Sequence, residues 1–164
     1  MIEVRMAQVK DIPQISNVLA ESWKTAYRGI VDDEYLDTIE TGHWVEFLIN
    51  GLSDGTVFSM VLLDNQNFAG ACILRKSEKQ GEVHLVSLYL LPDRIGNGYG
   101  HRFYSEIENE IKNRGYIKCV LDVLTDNKRA CRFYEAHGFT DSGAEETTVI
   151  GGREYPYRVF VKLL

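Results

Sequence analysis

Leu88-Tyr-Leu-Leu-Pro-Asp-Arg-Ile-Gly-Asn-Gly-Tyr-Gly100 carries an apolar strand into a loop of alternating glycines, and the loop opens onto a helical pattern that continues to Arg114. A strand that hands over to a helix through glycines leaves the first N–H groups of the helix without intrahelical acceptors and aims them beyond the strand end. The segment is therefore predicted to form an anion socket, with phosphate or pyrophosphate as its occupant. Two familiar phosphate motifs fail here. Gly96, Gly98 and Gly100 give G-x-G-x-G rather than G-x-G-x-x-G, and Gly100 is followed by His101 and Arg102 rather than by Lys and Ser or Thr.

Working outward, Ile2 to Ala7 reads as a strand, with Ile2, Val4 and Met6 on one face and Glu3 and Arg5 on the other. Asp11 is placed as a helix N-cap with Pro13 in the first turn, and Ile12, Ile15, Val18, Leu19, Trp23, Ala26 and Tyr27 recur at helical spacing up to Gly29. Asp32 to Asn50 reads as a second helical region broken near Gly42. Thr56 to Leu63 and Phe68 to Arg75 are strands joined by the hairpin turn Asp64-Asn-Gln-Asn67, and Glu82 to Leu91 is a third. Gly98 to Arg114 is a helix closed by Gly115, Tyr116 to Leu124 a strand, Asn127 to His137 a helix stopped by Gly138, and Tyr155 to Leu164 a last strand. The order is β-α-α-β-β-β-α-β-α-β, with one more strand between Phe139 and Ile150 left open. It predicts a mixed sheet with helices on both faces, and a parallel, right-handed crossover from the 82–91 strand to the 116–124 strand.

A chain of 164 residues, 45% hydrophobic and 26% charged, is the size and composition of one globular domain. A net charge of −6 argues against nucleic acid as a partner, because phosphate neutralisation needs clustered Lys and Arg. Cys72, Cys119 and Cys131 are odd in number and widely spaced, which indicates neither a disulfide framework nor a zinc site. His43, His101 and His137 lack partners at ligand spacing, so no metal is expected. With no leader-like start and no apolar stretch of spanning length, a cytoplasmic setting away from membranes is the expectation.

The glycine loop resembles the acetyl-coenzyme A loop of the GNAT superfamily of N-acetyltransferases, P-x-x-(Q/R)-x-x-G-x-(G/A), with Pro92, Gly98 and Gly100 in register and Ile95 where the family carries Gln or Arg. A second block, Asn127-Lys-Arg-Ala-Cys-Arg-Phe-Tyr-Glu-Ala-His-Gly-Phe139, is similar to the family's N-x-x-A-x-x-F-Y-x-x-x-G-F throughout. Taken singly, each block has a plainer reading as a tight turn, an N-cap or a core stripe; together, at the family's separation, they reverse that balance. The resemblance implies one domain over residues 1–164 with a mixed, mostly antiparallel central sheet.

What the resemblance implies for the site follows residue by residue. Backbone groups of Leu88, Tyr89 and Leu90 would pair with the pantetheine amides, the Leu90 N–H facing the thioester oxygen. Arg94, Ile95, Gly96, Asn97, Gly98, Tyr99, Gly100 and His101 would surround the diphosphate, with Arg94 standing in for the residue missing at Ile95, and Asn127 would join them. Tyr134 matches the family's thiolate-protonating tyrosine. His84 falls where many relatives carry glutamate and Glu82 lies two residues earlier on the same strand face, so His84, Glu82 or ordered water is the base.

Trp23 and Tyr27 are the candidate substrate contacts, from a set with Tyr35, Trp44, Tyr155 and Tyr157 that fits either a cation cage or core filling. Glu21, Asp32, Asp33 and Glu34 add acidity near it. The implied activity is transfer of acetyl from acetyl-CoA, as co-substrate, to a primary amine of a small molecule. A peptide amine, a non-catalytic coenzyme A-binding or sensing module, and a ligand-free partner-binding domain are the competing readings. Dimers are frequent among such folds, and the sequence assigns no seam.

Overall fold

Asn65 and Gln66 take positive φ values of 50° and 70°, the backbone of a two-residue type I′ turn, and so fold the chain's central hairpin where the sequence places it. The computed structural model covers residues 1–164. In chain order it contains β1 (Ile2–Met6), α1 (Ile12–Ala26), α2 (Asp33–Thr38), α3 (Val45–Ser53), β2 (Val57–Asp64), β3 (Asn67–Lys76), β4 (Glu82–Leu90), α4 (Tyr99–Asn113), β5 (Lys118–Leu124), α5 (Lys128–Ala136), β6 (Thr140–Ile150) and β7 (Arg153–Leu163). Single 3₁₀ turns lie at Val9–Asp11 and Pro92–Arg94.

The strands form one seven-stranded sheet in the order β1-β2-β3-β4-β5-β7-β6. Every neighbouring pair is antiparallel except β4 and β5, which the α4 crossover makes parallel. Period-two alternation along β2 sends Phe58, Met60 and Leu62 to one face and Val57, Val61 and Leu63 to the other. The first face is covered by α4 through Phe103, Tyr104, Ile107 and Ile111, with α5 packed against the same cluster through Ala130, Phe133 and Tyr134. The opposite face is covered by α1 and α3, through Ile12, Ile15, Val18, Leu19 and Leu48. A third cluster joins α1 and α2 to the far end of β5 through Ala20, Tyr27, Leu36, Ile39 and Leu124. No helix is long and apolar enough to cross a membrane.

Three expectations change. The break expected near Gly42 is present, and what changes is its extent: Asp32 caps α2 by accepting from the Tyr35 N–H, α2 ends at Ile39 in extended backbone, and α3 starts only at Val45 and runs on to Ser53, past the expected Asn50. Asp11 is no N-cap. Its carboxylate turns back to the Arg5 guanidinium at 2.7 Å and accepts the Gln8 N–H at 2.8 Å, binding the first helix to the first strand. The strand left open after Phe139 is β6, a full edge strand paired to β7; it is largely exposed, and its register slips between Asp141 and Glu145, so it shows no alternation to read.

An ionic clamp ties α4 to the sheet. Glu108 accepts from Lys112 one turn on at 2.6 Å and from Lys162 of β7, whose ammonium also lies over the Tyr104 ring at 5.3 Å. Burial raises the Glu108 carboxyl, but the two lysine bonds outweigh it and bring it down to about 2. Because the folded value lies below the ordinary 4.5, the unfolded chain takes up the proton first. The clamp's stabilisation is therefore complete above that ordinary value and is lost as pH falls toward the folded one. Glu108→Gln should cost about 1–3 kcal/mol at pH 7 in urea denaturation and show a shallower acid-dependent loss than the wild type.

Candidate active site

The parallel pairing of β4 with β5 is short. Glu82, Val83 and His84 face Lys118, Cys119 and Val120, and beyond them the strands part. The reason lies on the other edge of β4. Against β3 the register jumps from Leu74–Leu85 to Ile73–Ser87, leaving Val86 as an extra, bulged residue two positions past His84, the last residue paired to β5. A bulge bends its strand and sharpens the local twist, which turns the rest of β4 away from β5.

The ladder fixes which backbone groups line the opening. The Leu91 N–H donates to the Ala69 carbonyl at 2.8 Å, so alternation along the antiparallel pair turns Tyr89 toward Ala71, and Leu88 and Leu90 the other way, into the gap. The Leu90 carbonyl is met there by the Ser22 hydroxyl of α1, which donates at 2.9 Å and pins that helix to the strand end. The Leu88 and Leu90 N–H groups stay free. Tyr89 is a correction: its main chain belongs to the β3 ladder, and it reaches the site through its side chain.

Beyond β4, the N–H groups of residues 96 to 101 donate to no acceptor in the protein, and the first backbone bond of α4 is Arg102 N–H to the Gly98 carbonyl at 3.2 Å. Gly96 and Gly98 hold φ of 89° and 75°, the left-handed turn that aims these amides inward. Gly100 serves by its size: a Cβ there would meet the Phe133 ring at 3.3 Å, so its absence lets α4 and α5 close together. These amides and the positive end of a fifteen-residue helix make a ready anion site.

Side chains around the socket are occupied elsewhere. Arg94, expected to replace the contact missing at Ile95, instead pairs with Asp64 at the end of β2 at 2.8 Å. Tyr99 sends its hydroxyl to the same carboxylate at 3.3 Å. Asp64 thus fastens both sides of the loop. The His101 imidazole turns to His137 at the end of α5, ring nitrogens 2.8 Å apart. Asn127 caps α5 by accepting the Ala130 N–H, and exposed Lys128 donates to the Thr125 carbonyl. What the glycine loop offers an anion is main chain.

Tyr134 leaves α5 packed edge-on to Phe133 and Phe139, at centroid separations of 5.3 and 5.6 Å. Burial raises its phenol well above the ordinary value, and the nearby Tyr27, Cys119 and Cys72 add to the shift. Tyr27 follows the last turn of α1, on the opposite face, so the Tyr134 phenol is near enough to feel a residue from across the sheet. There the Tyr27 and Tyr89 hydroxyls share a hydrogen bond of 2.8 Å, and the Trp23 ring packs on Tyr27 at 4.6 Å and on Trp44 at 5.6 Å. Tyr27 is 9% exposed, so it serves the core and the gap together.

The two expected bases separate clearly. Burial raises Glu82, but bonds from Lys118, at 3.0 Å, and from Ser77 outweigh it and hold the carboxyl below its usual range. Glu82 is an ion-pair partner, not a free base. Burial lowers His84 despite the opposing pull of Asp122 on β5, so the imidazole is neutral at pH 7 and able to accept a proton.

An apolar strand bent by a bulge, a glycine-built ring of free amides at its end and a protonated phenol on α5 together make the candidate site. A profile of the acetyltransferase (GNAT) family matches residues 16–139. The chain belongs to that family. As a GNAT acyltransferase it is 26% identical over 159 residues to spermidine N(1)-acetyltransferase of Thermoplasma acidophilum, covering 94% of this chain and 98% of that one. It is 33% identical over 85 residues to N-alpha-acetyltransferase 30 of Schizosaccharomyces pombe, covering 50% of this chain and 57% of that one. The crystal structure of PaiA N-acetyltransferase from Thermoplasma acidophilum in complex with coenzyme A shares the fold, with a TM-score of 0.80 at 22% identity over 100% of this chain and 99% of that one.

Gly98→Ala places a Cβ on left-handed backbone at a cost of about 1–2 kcal/mol. It should weaken the binding of inorganic pyrophosphate by about tenfold in calorimetry while leaving the melting temperature within a few degrees of wild type.

Proposed function

We propose that this GNAT enzyme moves an acetyl group from acetyl-CoA to a primary amine of a small cationic molecule, with polyamines as the first class to test. One observation carries the reading: the free N–H groups lie in two sets, Leu88 and Leu90 on the β4 edge and residues 96–101 beyond its end, at the two ends that an extended thioester carrier with a diphosphate would need. That array fits acetyl-CoA. The amides of residues 96–101 would take the diphosphate, and the free main chain of Leu88 would take an amide of the pantetheine arm. Bound there, the co-substrate supplies an acyl group already activated as a thioester.

The chain's own residues then have three tasks. The Leu90 N–H donates to the carbonyl oxygen as charge gathers on it, a fixed donor of a kind worth about 3–4 kcal/mol where removed. Tyr134, kept protonated by burial, gives its proton to the departing sulfur. His84 takes the proton of the incoming amine, which in water is held with a pKa near ~10 and must be lost before attack.

A cleft of about 420 Å³ between the α1–α2 loop and the β6–β7 turn is lined by Asp32, Asp33, Glu154 and Tyr155, with Arg153 as its cation. Its walls are tied together: the Asp32 N–H donates to the Tyr155 hydroxyl at 2.9 Å, and the Tyr35 ring lies so close to Gly151 that a Cβ there would overlap it. Asp32 is paired with Arg153 at 3.3 Å and Asp33 with Arg28 at 3.5 Å, which leaves Glu154 as the unpaired carboxylate for a second ammonium; similarity over nearly the whole chain to a spermidine acetyltransferase supports the same class of acceptor. The 33% identity to N-alpha-acetyltransferase 30 favours a peptide amine as the second reading, although it spans only half the chain.

A thiol-release assay with acetyl-CoA against polyamines, amino acids, aminoglycosides and short peptides separates these. Turnover confined to polyamines supports the proposal; turnover confined to peptides selects the second reading. Binding of coenzyme A without turnover of any amine leaves a sensing module. Tyr134→Phe should lower kcat by about a hundredfold or more while calorimetric affinity for coenzyme A stays within about twofold.

A further inference from the structure

We propose that Asp122 is the positioning partner of His84: a β5 carboxylate that fixes which imidazole nitrogen is free and steadies the imidazolium once the acceptor's proton has arrived. The proposal rests on the acyl-transfer reading and assigns a role that the glycine loop and the tyrosine block do not reach.

The placement follows from the parting of the strands. Val120 is the last β5 residue paired to β4, opposite His84, and Asp122 lies two positions beyond it on the same face. There β5 has begun to diverge, which makes room for a side chain between the strands. The Asp122 Oδ2 lies 3.5 Å from His84 Nε2, with the two side chains 42% and 21% exposed. That is contact distance rather than a formed hydrogen bond, and catalytic pairs commonly close only when substrate is bound. Asp122 has no other ion pair.

The remaining charges around the pair sharpen the assignment. Arg75 of β3 stands opposite His84 in the ladder and disfavours the imidazolium. Glu82 of β4 favours it, but Lys118 already holds that carboxylate. Glu146 of β6 repels Asp122 and is itself bound by the Tyr157 hydroxyl. Burial pushes His84 down and Asp122 up, each opposed by the other. Asp122 is therefore the carboxylate left to compensate a proton on His84.

The chemistry balances on one proton. With Nε2–H directed at Asp122, the lone pair is on Nδ1. An N–H bond of the acceptor ammonium breaks, an N–H bond at Nδ1 forms, and the amine is left neutral for attack; the imidazolium later returns its proton to water. Removing the carboxylate frees the tautomer and weakens the base, as expected when a histidine loses the partner that orients it.

Two readouts test this on the full chain. Nitrogen-15 NMR of His84 should show the Nε2–H tautomer in wild type and, in Asp122→Asn, a mixed tautomer and a lower titration midpoint. In steady-state assays Asp122→Asn should lower kcat about tenfold, leave KM for acetyl-CoA unchanged and move the acid limb of the kcat profile to lower pH, with Asp122→Glu restoring most of the rate. Unchanged His84 tautomer and titration in Asp122→Asn would overturn the proposal, whether or not any amine is turned over. So would a kcat loss that persists in full in a His84→Gln background. Absence of turnover in the wild type with the NMR changes present would sink the acyl-transfer reading and leave the pairing standing.

Discussion

The site depends on a single interruption of main-chain pairing. Val86 is one residue too many for the ladder with β3, and β4 answers by bending away from β5. Buried or half-buried N–H groups without acceptors are costly, on the order of 1–3 kcal/mol each when nothing replaces the lost bond. A fold keeps such groups only if the rest of the structure outweighs them. Here two apolar layers do so, with Leu62, Leu74, Ile107 and Ile111 on one face and Ile15, Val18, Leu19 and Leu48 on the other all fully enclosed. The opening is held by what surrounds it rather than by its own contacts.

Its walls are correspondingly stiff. Asp64 gathers Arg94 and Tyr99 from the two sides of the glycine loop, Ser22 bolts α1 to the end of β4, and the His101–His137 pair links the start of α4 to the end of α5. None of these side chains has to move for the amides of residues 96 to 101 to face an anion. Donors fixed before the ligand arrives avoid the ordering cost that flexible side chains carry, which is why main chain rather than arginine is the better gripping surface here. The departure at Ile95 fits the same pattern, since that position lies outside the free amide run.

Much of this was legible in the residues. Alternation and apolar runs gave most of the strands, Asn65-Gln66 the hairpin, and the glycines with Asn127, Phe133 and Tyr134 the family and the candidate site. Other features were hidden for physical reasons. β6 exposes most of its length, so no apolar period marks it, and the width of the α2–α3 break, which Gly42 alone does not set, depends on the Ile39–Trp44 turn meeting α1, with Ser16 accepting the Trp44 N–H. Arg94, Tyr99 and Glu82 are read wrongly or incompletely in one dimension because their partners, Asp64 for the first two and Lys118 for the third, sit on other strands. Asp122 gave one faint signal, a carboxylate in an otherwise apolar strand, and only the pairing of His84 with Val120 gives it meaning.

The two flanks of the sheet differ from its interior in one further respect. β1 offers five residues at one border, and β6, at the other, is broken by the slip between Asp141 and Glu145 and lined with acidic side chains. Short, kinked and charged borders repel a stray strand from a neighbouring molecule. Added strands are thereby discouraged along the perimeter, and the open backbone donors of Leu88 and Leu90 are kept instead at an internal fissure.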